Sequence, residues 1–366
     1  MIKGNFDIEL DFLRTTTPPM IGVDISSSSI KMVELSEAPK KAGYVVERYT
    51  IEPLPQDAVS DGNINNLDAV SEALLRAWKR MGTRIKNVSL ALPAAAVISK
   101  KILLPSGLRE DELENKVEAE ANQYIPFALE EVNLDFQIIG PAPTDPDEVE
   151  VLLAASRKAN VEDRVAAAQA AGLKTIVVDV EPYAAEAAFE QVRAQLPEGA
   201  ADQCIALVDI GANVMNVNVL RNGQSVYMRD QQIGGAQLTQ MIQNAFGLSP
   251  ADAEEAKHNG GLPDNYESDV LAPFLESVAT EVTRALQFFV TSTQYNEVDY
   301  VVLAGGCAAL TGLDDAVATR TQVSTLVANP FAHMTLSSRV KPRQLQMDAP
   351  ALMIACGLAM RRFDPS

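Results

Sequence analysis

Cysteine, tryptophan and histidine are scarce in this sequence: three, one and two residues among 366. Cys204, Cys307 and Cys356 stand far apart in apolar surroundings, which gives neither a disulfide framework nor a metal-binding knuckle. They read as small buried hydrophobes in a reducing compartment. His258 and His333 have no ligand-spaced companions, so no histidine metal site is expected. Long apolar runs are missing too. A membrane helix needs roughly 20 apolar residues, and the longest candidate, "VSLALPAAAVI", is short and broken by Pro93. Asp7, Glu9 and Asp11 occupy the place where a secretory signal would be apolar. These absences point to a cytosolic protein without direct membrane insertion.

Basic residues are also in deficit. Lys and Arg number 30 against 49 Asp and Glu, for a net charge of −19. Recognition of a nucleic-acid backbone needs clustered positive charge, and so does electrostatic docking on anionic lipid. The deficit argues against both, whereas a basic partner, or a basic tail of a partner, would suit this surface. Hydrophobic residues at 47% and charged residues at 22% describe an ordinary globular chain, long enough for two domains.

What is present is an alternation of strand-like and helical segments. Residues 1–19 read as an arm ending in "TTTPP". "MIGVDI", "IKMVEL" and "YVVERYTIEPLP" follow as strands. "NNLDAVSEALLRAWKRMG" has Val70, Leu74, Leu75, Trp78 and Met81 at helical spacing and stops at Gly82. "NVSLALP" reads as a buried strand. "LREDELENKVEAEANQYIPF" is a charged helix whose acids fall all around it, the mark of a solvated element. Strands "VNLDFQIIG" and "EVEVLLAASR", helix "KANVEDRVAAAQAAG", strand "LKTIVVDVEP" and helix "YAAEAAFEQVRAQL" complete the first half. The second half opens with strands around a hairpin signal at Asn222-Gly223, then "IGGAQLTQMIQNAFG" as a glycine turn into a helix. A helical region (266–293), strand "DYVVLAGG", helix "GLDDAVATR" and helix "PALMIACGLAMRR" follow.

The informative feature is a repeat. "MIGVDISSSSIKMVEL" and "ALVDIGANVMNVNVL" each run apolar strand, Asp-Ile, small residues, strand, with Asp24 and Asp209 in equivalent places. Two such hairpins in two half-chains suggest a duplicated α/β domain with a ligand cleft between the copies. A turn of small residues lets backbone N–H groups face a phosphate. Serine hydroxyls add donors, and a carboxylate before the turn can hold Mg²⁺ through water. "VLAGGCAALTGL" adds Gly305-Gly306 after a strand, where a flat ligand could approach.

The order of these segments resembles the actin-like ATPase superfamily, which includes actin, the seventy-kilodalton heat-shock ATPases, MreB and FtsA. "IGVDISSSSIKMVEL" is similar to its first phosphate motif, "LVDIGANVMNVNVL" to its second and "VLAGGCAALTGL" to its adenosine motif. "VVDVEPYAAEAAF" and "ALMIACGLAM" resemble its two connecting helices, so the likeness runs over residues 20–363. Within that superfamily "DISSSSIK", "EANQYIPF", "VDVEPYA" and "CGLAMRRFD" resemble the PilM family of type IV pilus assembly. The ending "RRFDPS" lacks the amphipathic helix that closes FtsA.

The resemblance implies an actin-like (ribonuclease H-like) duplicated two-domain α/β fold with an FtsA/PilM-type inserted subdomain. The expected parts are an arm (1–19), a first domain (20–84 and 166–204), the insert (85–165), a second domain (205–348) and a connecting helix (349–366). It implies ATP and Mg²⁺ as ligands. Asp24 and Asp209 would serve the metal. Ser26, Ser27, Ser28, Ser29 and Lys31 would form the first phosphate loop, and Gly211, Ala212 and Asn213 the second. Gly234 and Gly235 would form a turn facing the nucleotide, and Gly305 and Gly306 the adenosine site. Glu254 and Lys257 resemble a pair that touches the nucleoside; at that spacing they also make an ordinary ion pair. Glu181 matches an acid that orients the attacking water, a role worth about 10²–10⁴ in rate, and it also fits helix capping. The first turn lacks the superfamily's glycine, which favours binding over hydrolysis. The implied partner is the cytosolic N-terminal tail of PilN, gripped near the insert, with other inner-membrane and motor components of the pilus possible. The implied place is the cytoplasm, at the inner membrane through partners. The alternatives are a filament protein of the FtsA or MreB type and a small-molecule kinase of the same superfamily.

Overall fold

The computed structural model describes residues 17–38, 43–142, 145–197 and 203–364. The expected arm therefore lies outside the described residues except for its last three. Contacts divide the chain into two compact units. The first holds residues 1–36, 48–184 and 354–366, and the second 37–47 and 185–353.

In the first unit, β1 (Ile21–Ile25), β2 (Ser29–Glu37) and β3 (Tyr44–Pro53) follow one another, then a small hairpin of β4 (Val59–Ser60) and β5 (Asn63–Ile64). Helix α1 (Leu67–Met81) begins where Asn66 accepts from the Ala69 N–H and ends at left-handed Gly82, whose N–H caps Lys79. Its inner face carries Val70, Ala73, Leu74 and Ala77, all fully buried. Full burial of a side chain such as Leu74 is worth about 1.5–3 kcal/mol. β6 (Asn87–Leu92) leads into β7 (Ile98–Pro105), α2 (Glu110–Tyr124), β8 (Val132–Pro141) and β9 (Glu148–Arg157). α3 (Lys158–Ala170) starts directly after β9, and β10 (Lys174–Val180) runs straight into α4 (Glu181–Val192).

The main sheet has the order β10-β6-β1-β2-β3. β10, β6 and β1 are parallel, while β1 and β2 form an antiparallel hairpin. A separate sheet, β7-β9-β8, is antiparallel and builds its own core with α2 from Ile102, Leu104, Val117, Val151 and Leu153. β6 falls within residues 85–165, the stretch expected as insert, and is a strand of the main sheet.

The second unit repeats this plan. β11 (Cys204–Ile210), β12 (Met215–Arg221) and β13 (Gln224–Gln231) form a meander. β12 and β13 meet at Asn222 and Gly223, both at positive φ as a two-residue turn of this hand requires. Then come α5 (Gly235–Phe246), α6 (Pro250–Asn259), α7 (Ala272–Ser292), β14 (Tyr300–Ala304), α8 (Leu313–Thr321) and β15 (Ser324–Val327). The sheet order β13-β12-β11-β14-β15 matches β3-β2-β1-β6-β10 strand for strand, with β11, β14 and β15 parallel. β16 (Thr335–Leu336) pairs with Val45 and Val46, which belong to this unit, and α9 (Pro342–Asp348) follows.

The last helix, α10 (Met353–Met360), packs in the first unit from Ile354 onward. A Cβ on Gly22 of β1 would fall 2.1 Å from the Ala355 carbonyl, so strand and helix touch backbone to backbone. Beyond the helix, Arg361 Nε donates to the buried Asp179 carboxylate at 2.5 Å and Arg362 Nη1 to the Leu35 carbonyl at 3.1 Å. Among the described residues no helix is long and apolar enough to cross a membrane.

The strands β4, β5, β7, β15 and β16 and the helix α9 are not legible in the sequence. β7 ("ISKKILLP") buries Ile102 and Leu104 and exposes Leu103 between them, so its period of two is hidden in an apolar run.

Candidate functional site

The two hairpins agree residue by residue. Asp24 pairs in register with Lys31, and Asp209 with Asn216, the same separation in both. Two residues after each aspartate an N–H closes the turn: Ser26 N–H to the Ser29 carbonyl at 3.1 Å, and Gly211 N–H to the Val214 carbonyl at 3.0 Å. Among the described residues no hydrogen bond uses the N–H groups of Ser27 and Ser28 at one tip, or of Ala212 and Asn213 at the other. Each turn thus keeps two adjacent backbone donors for an anion.

In the first unit the Asp24 side chain is 2% exposed, and Lys31 Nζ donates to its Oδ2 at 2.8 Å. Lys31 also reaches the Ser26 hydroxyl at 3.3 Å, and that hydroxyl donates to the Ser29 carbonyl at 2.9 Å. Ser29 is buried, whereas Ser28 is exposed at the tip. So the four serines divide: Ser26 and Ser29 hold the turn, and Ser27 and Ser28 present it. Glu181 is the first residue of α4, half-buried, immediately after the end of β10.

In the second unit Gly211, Ala212, Gly234 and Gly235 are brought together. Gly235 N–H donates to the Gly211 carbonyl at 3.0 Å and Ala236 N–H to the Ala212 carbonyl at 2.8 Å. A Cβ on Gly234 would lie 2.5 Å from the Ala212 oxygen, which is why the turn needs glycine there. Gly305, at φ +86°, leans on Asp209: its Cβ would lie 2.5 Å from Asp209 Oδ1. The next glycine, Gly306, has open space where its Cβ would be. Cys307 Sγ donates to the Gly211 carbonyl at 3.4 Å. Burial, reinforced by Asp209 and Glu254 and opposed by Lys257, pushes this thiol up to about 11, so it stays a protonated donor and no nucleophile.

Glu254 and Lys257 do form an ion pair, at 2.7 Å. Lys257 also donates to the Thr239 hydroxyl at 2.9 Å and to the Gly235 carbonyl at 3.4 Å, which carries the pair to the glycine turn. Thr239 donates to Glu254 Oε2 at 2.5 Å, and His258 Nε2 lies 3.1 Å from Oε1. Burial raises the Glu254 carboxyl, but hydrogen bonds from His258, Lys257 and Thr239 outweigh it and bring the value from 4.5 down to about 2. A folded value below the unfolded one stabilises the fold above pH 4.5, and that stability is lost as pH falls towards 2. Glu254→Gln is expected to flatten the acid limb of stability in that window, seen as melting temperature against pH. The effect is modest because the side chain is 47% exposed. Parallel acid limbs for variant and wild type would refute the network.

Sequence reasoning assigned no role to Thr239, His258 or Cys307. Only the packing of α5 against α6 brings Thr239 onto Glu254, and only the closure of the Gly305 turn brings Cys307 onto Gly211, whereas His258 stands one turn after Glu254 on α6 itself, an i,i+4 spacing that the sequence carries.

Each unit by itself offers what a phosphate needs: paired N–H donors at a tip with Lys31 in the first, and in the second paired N–H donors, Lys257 at the glycine turn and the open Gly306. Among the described residues no group of three or more His, Cys, Asp or Glu could cage a metal. Isolated carboxylates suit Mg²⁺ held mainly by water and phosphate.

Two copies of one sheet plan, each opening on an Asp-bearing hairpin, with an inserted subdomain in the first, make this an actin-like ATPase fold of duplicated α/β domains. A family model described as type IV pilus assembly protein PilM matches residues 22–363. A solved structure described as a PilM-PilN type IV pilus biogenesis complex is 29% identical, covering 95% of this chain and 100% of that one, with a TM-score of 0.79. Ethanolamine utilization protein EutJ from Carboxydothermus hydrogenoformans shares the fold at 17% identity, covering 95% of this chain and 91% of that one, with a TM-score of 0.56. The chain belongs to the PilM family of actin-like type IV pilus assembly proteins.

Proposed function

We propose that this protein is an ATP-binding scaffold of the type IV pilus assembly platform, working in the cytoplasm at the inner membrane through its partners. The observation that carries the nucleotide reading is the matched pair of hairpins, each with an aspartate, a turn closed two residues later and two unspent N–H donors. Ser27 and Ser28 in one, and Ala212 and Asn213 in the other, would donate to phosphate oxygens. Lys31 would exchange part of its bond to Asp24 for a phosphate, and Lys257 would hold the glycine turn at Gly234–Gly235. Gly305 and Gly306 would admit the adenosine. Asp24 and Asp209 would orient waters of a bound Mg²⁺, which when present neutralises phosphate charge. Glu181 would hold a water for slow or residual hydrolysis. The proposed partner is the N-terminal cytosolic tail of PilN, received near the β7-β9-β8 insert, and the net charge of −19 suits a tail with basic residues.

Titration calorimetry tests both parts. MgATP is expected to bind with micromolar or tighter affinity, and a synthetic PilN tail to bind the ATP-loaded protein likewise. Absence of heat from MgATP, with a folded sample, would overturn the nucleotide reading. Absence of heat from the tail would overturn the partner.

A further inference from the structure

Arg164, on α3, is 2% exposed. Its Nη2 donates to the Gly62 carbonyl at 2.9 Å, but Nη1 is buried and finds no hydrogen-bond partner among the described residues. It lines a small cavity with Asn63, Leu92, Pro93, Asn160 and Asp163. A buried guanidinium with an idle N–H is costly, and an apolar residue of similar volume would be cheaper. A backbone staple to Gly62 alone does not account for a full charge in this place.

The sheet register shows which carboxylates stand near that charge. β1, β6 and β10 are parallel, with Gly22 opposite Ser89 and Leu92 opposite Val180. Their carboxyl ends therefore lie side by side. They carry Asp24, then Leu92 and Pro93, then Glu181 one residue beyond Val180. Arg164 lines the same small cavity as Leu92 and Pro93, the middle of this row. Of the carboxylates acting on it, Glu181 stabilises its charge most, Asp24 next and Asp163 third. Burial opposes the charge more strongly than any one of them supports it, and lowers the guanidinium from its ordinary value. Two further pairs stand at this end among the described residues: Lys31, on β2, holds Asp24 directly, and Arg361 holds Asp179, next to the last residue of β10.

We propose that Arg164 is a positioning residue: its buried guanidinium, seated at the carboxyl end of β6, holds the Glu181 carboxylate in place and supplies positive charge behind the first hairpin. The pairing with Glu181 stands on the first unit alone. Its effect on a nucleotide rests on the function proposed above.

Two measurements separate these. The first needs no nucleotide. Glu181→Gln removes the carboxylate that most supports this buried cation, and is expected to lower the melting temperature by about 2–4 °C in the wild-type background. In the Arg164→Met background it is expected to do nothing, a non-additive cycle. Additive shifts overturn the pairing. If Arg164→Met does not fold, the single Glu181→Gln variant still decides, because an unchanged melting temperature contradicts the proposal. The second is MgATP titration. Arg164→Met is expected to weaken binding about tenfold, and Arg164→Lys to restore it to within about threefold. Equal losses in both would show that the residue acts by shape and not by charge. A wild type that binds no MgATP removes the nucleotide reading, and the melting cycle alone then decides the pairing.

Discussion

Gly357→Ala is expected to destabilise the protein, against the direction that helix propensity gives. Inside a helix, Ala is better than Gly by about 1 kcal/mol, and Gly357 lies within α10. The contact reverses the sign. A Cβ there would stand 1.7 Å from the Ala184 carbonyl oxygen and 2.5 Å from its carbon, both backbone atoms of α4 that cannot rotate away. α4 and α10 must separate by more than an ångström, which opens the seam of Ala91, Ala184 and Leu358. Overpacking of this kind costs about 1–3 kcal/mol, and more where backbone has to move. Gly22→Ala meets α10 from β1 and is expected to act alike. Urea unfolding checks both variants. A midpoint at or above wild type for Gly357→Ala would mean that the helices do not touch.

Lys31→Met is the second large effect. Lys31 and Asp24 are 13% and 2% exposed at the side chain, and the ion pair between them is 2.8 Å long. Taking away one partner leaves a carboxylate buried beneath the turn, and breaking a buried pair in this way costs about 3–5 kcal/mol. Removing both charges removes most of that penalty. The variant Asp24→Asn with Lys31→Met is therefore expected to be more stable than Lys31→Met alone, by denaturant unfolding at neutral pH. If the double variant is the weaker of the two, the ion pair is not what holds this hairpin. The comparison also isolates the charge from the rest of the turn, since the Ser26–Ser29 backbone bond is present in both variants.

Much of this architecture is written locally. The stop of α1 at Gly82 and the hairpin at Asn222-Gly223 each depend on one residue with a known backbone preference. The repeat around Asp24 and Asp209 was visible because both copies keep the same order of apolar, acidic and small residues. What stayed hidden depends on long-range placement. The four serines look equivalent in sequence. Only the fold makes Ser26 and Ser29 internal and leaves Ser27 and Ser28 at the tip. Arg164 sits in "NVEDRVAAAQ", where a charged residue reads as solvated. Its burial comes from a cavity whose walls are β6 and the β4–β5 hairpin, distant in sequence. β15 is four residues long and gives a pattern too short to separate from a loop.

The contact of Gly22 with α10 also bears on how the chain is made. β1 is the first strand described and α10 the last helix, so every intervening element is synthesised before the two can meet. Contacts between such distant segments close slowly, because the loop entropy is spent before the contact rewards it. During synthesis the inner strand β1 waits with one face uncovered, while the second unit, most of whose residues run together from 185 to 353, has its chain complete first. The earlier half of the sequence is then the later half to mature, since its β1 meets α10 only when the last helix has been made.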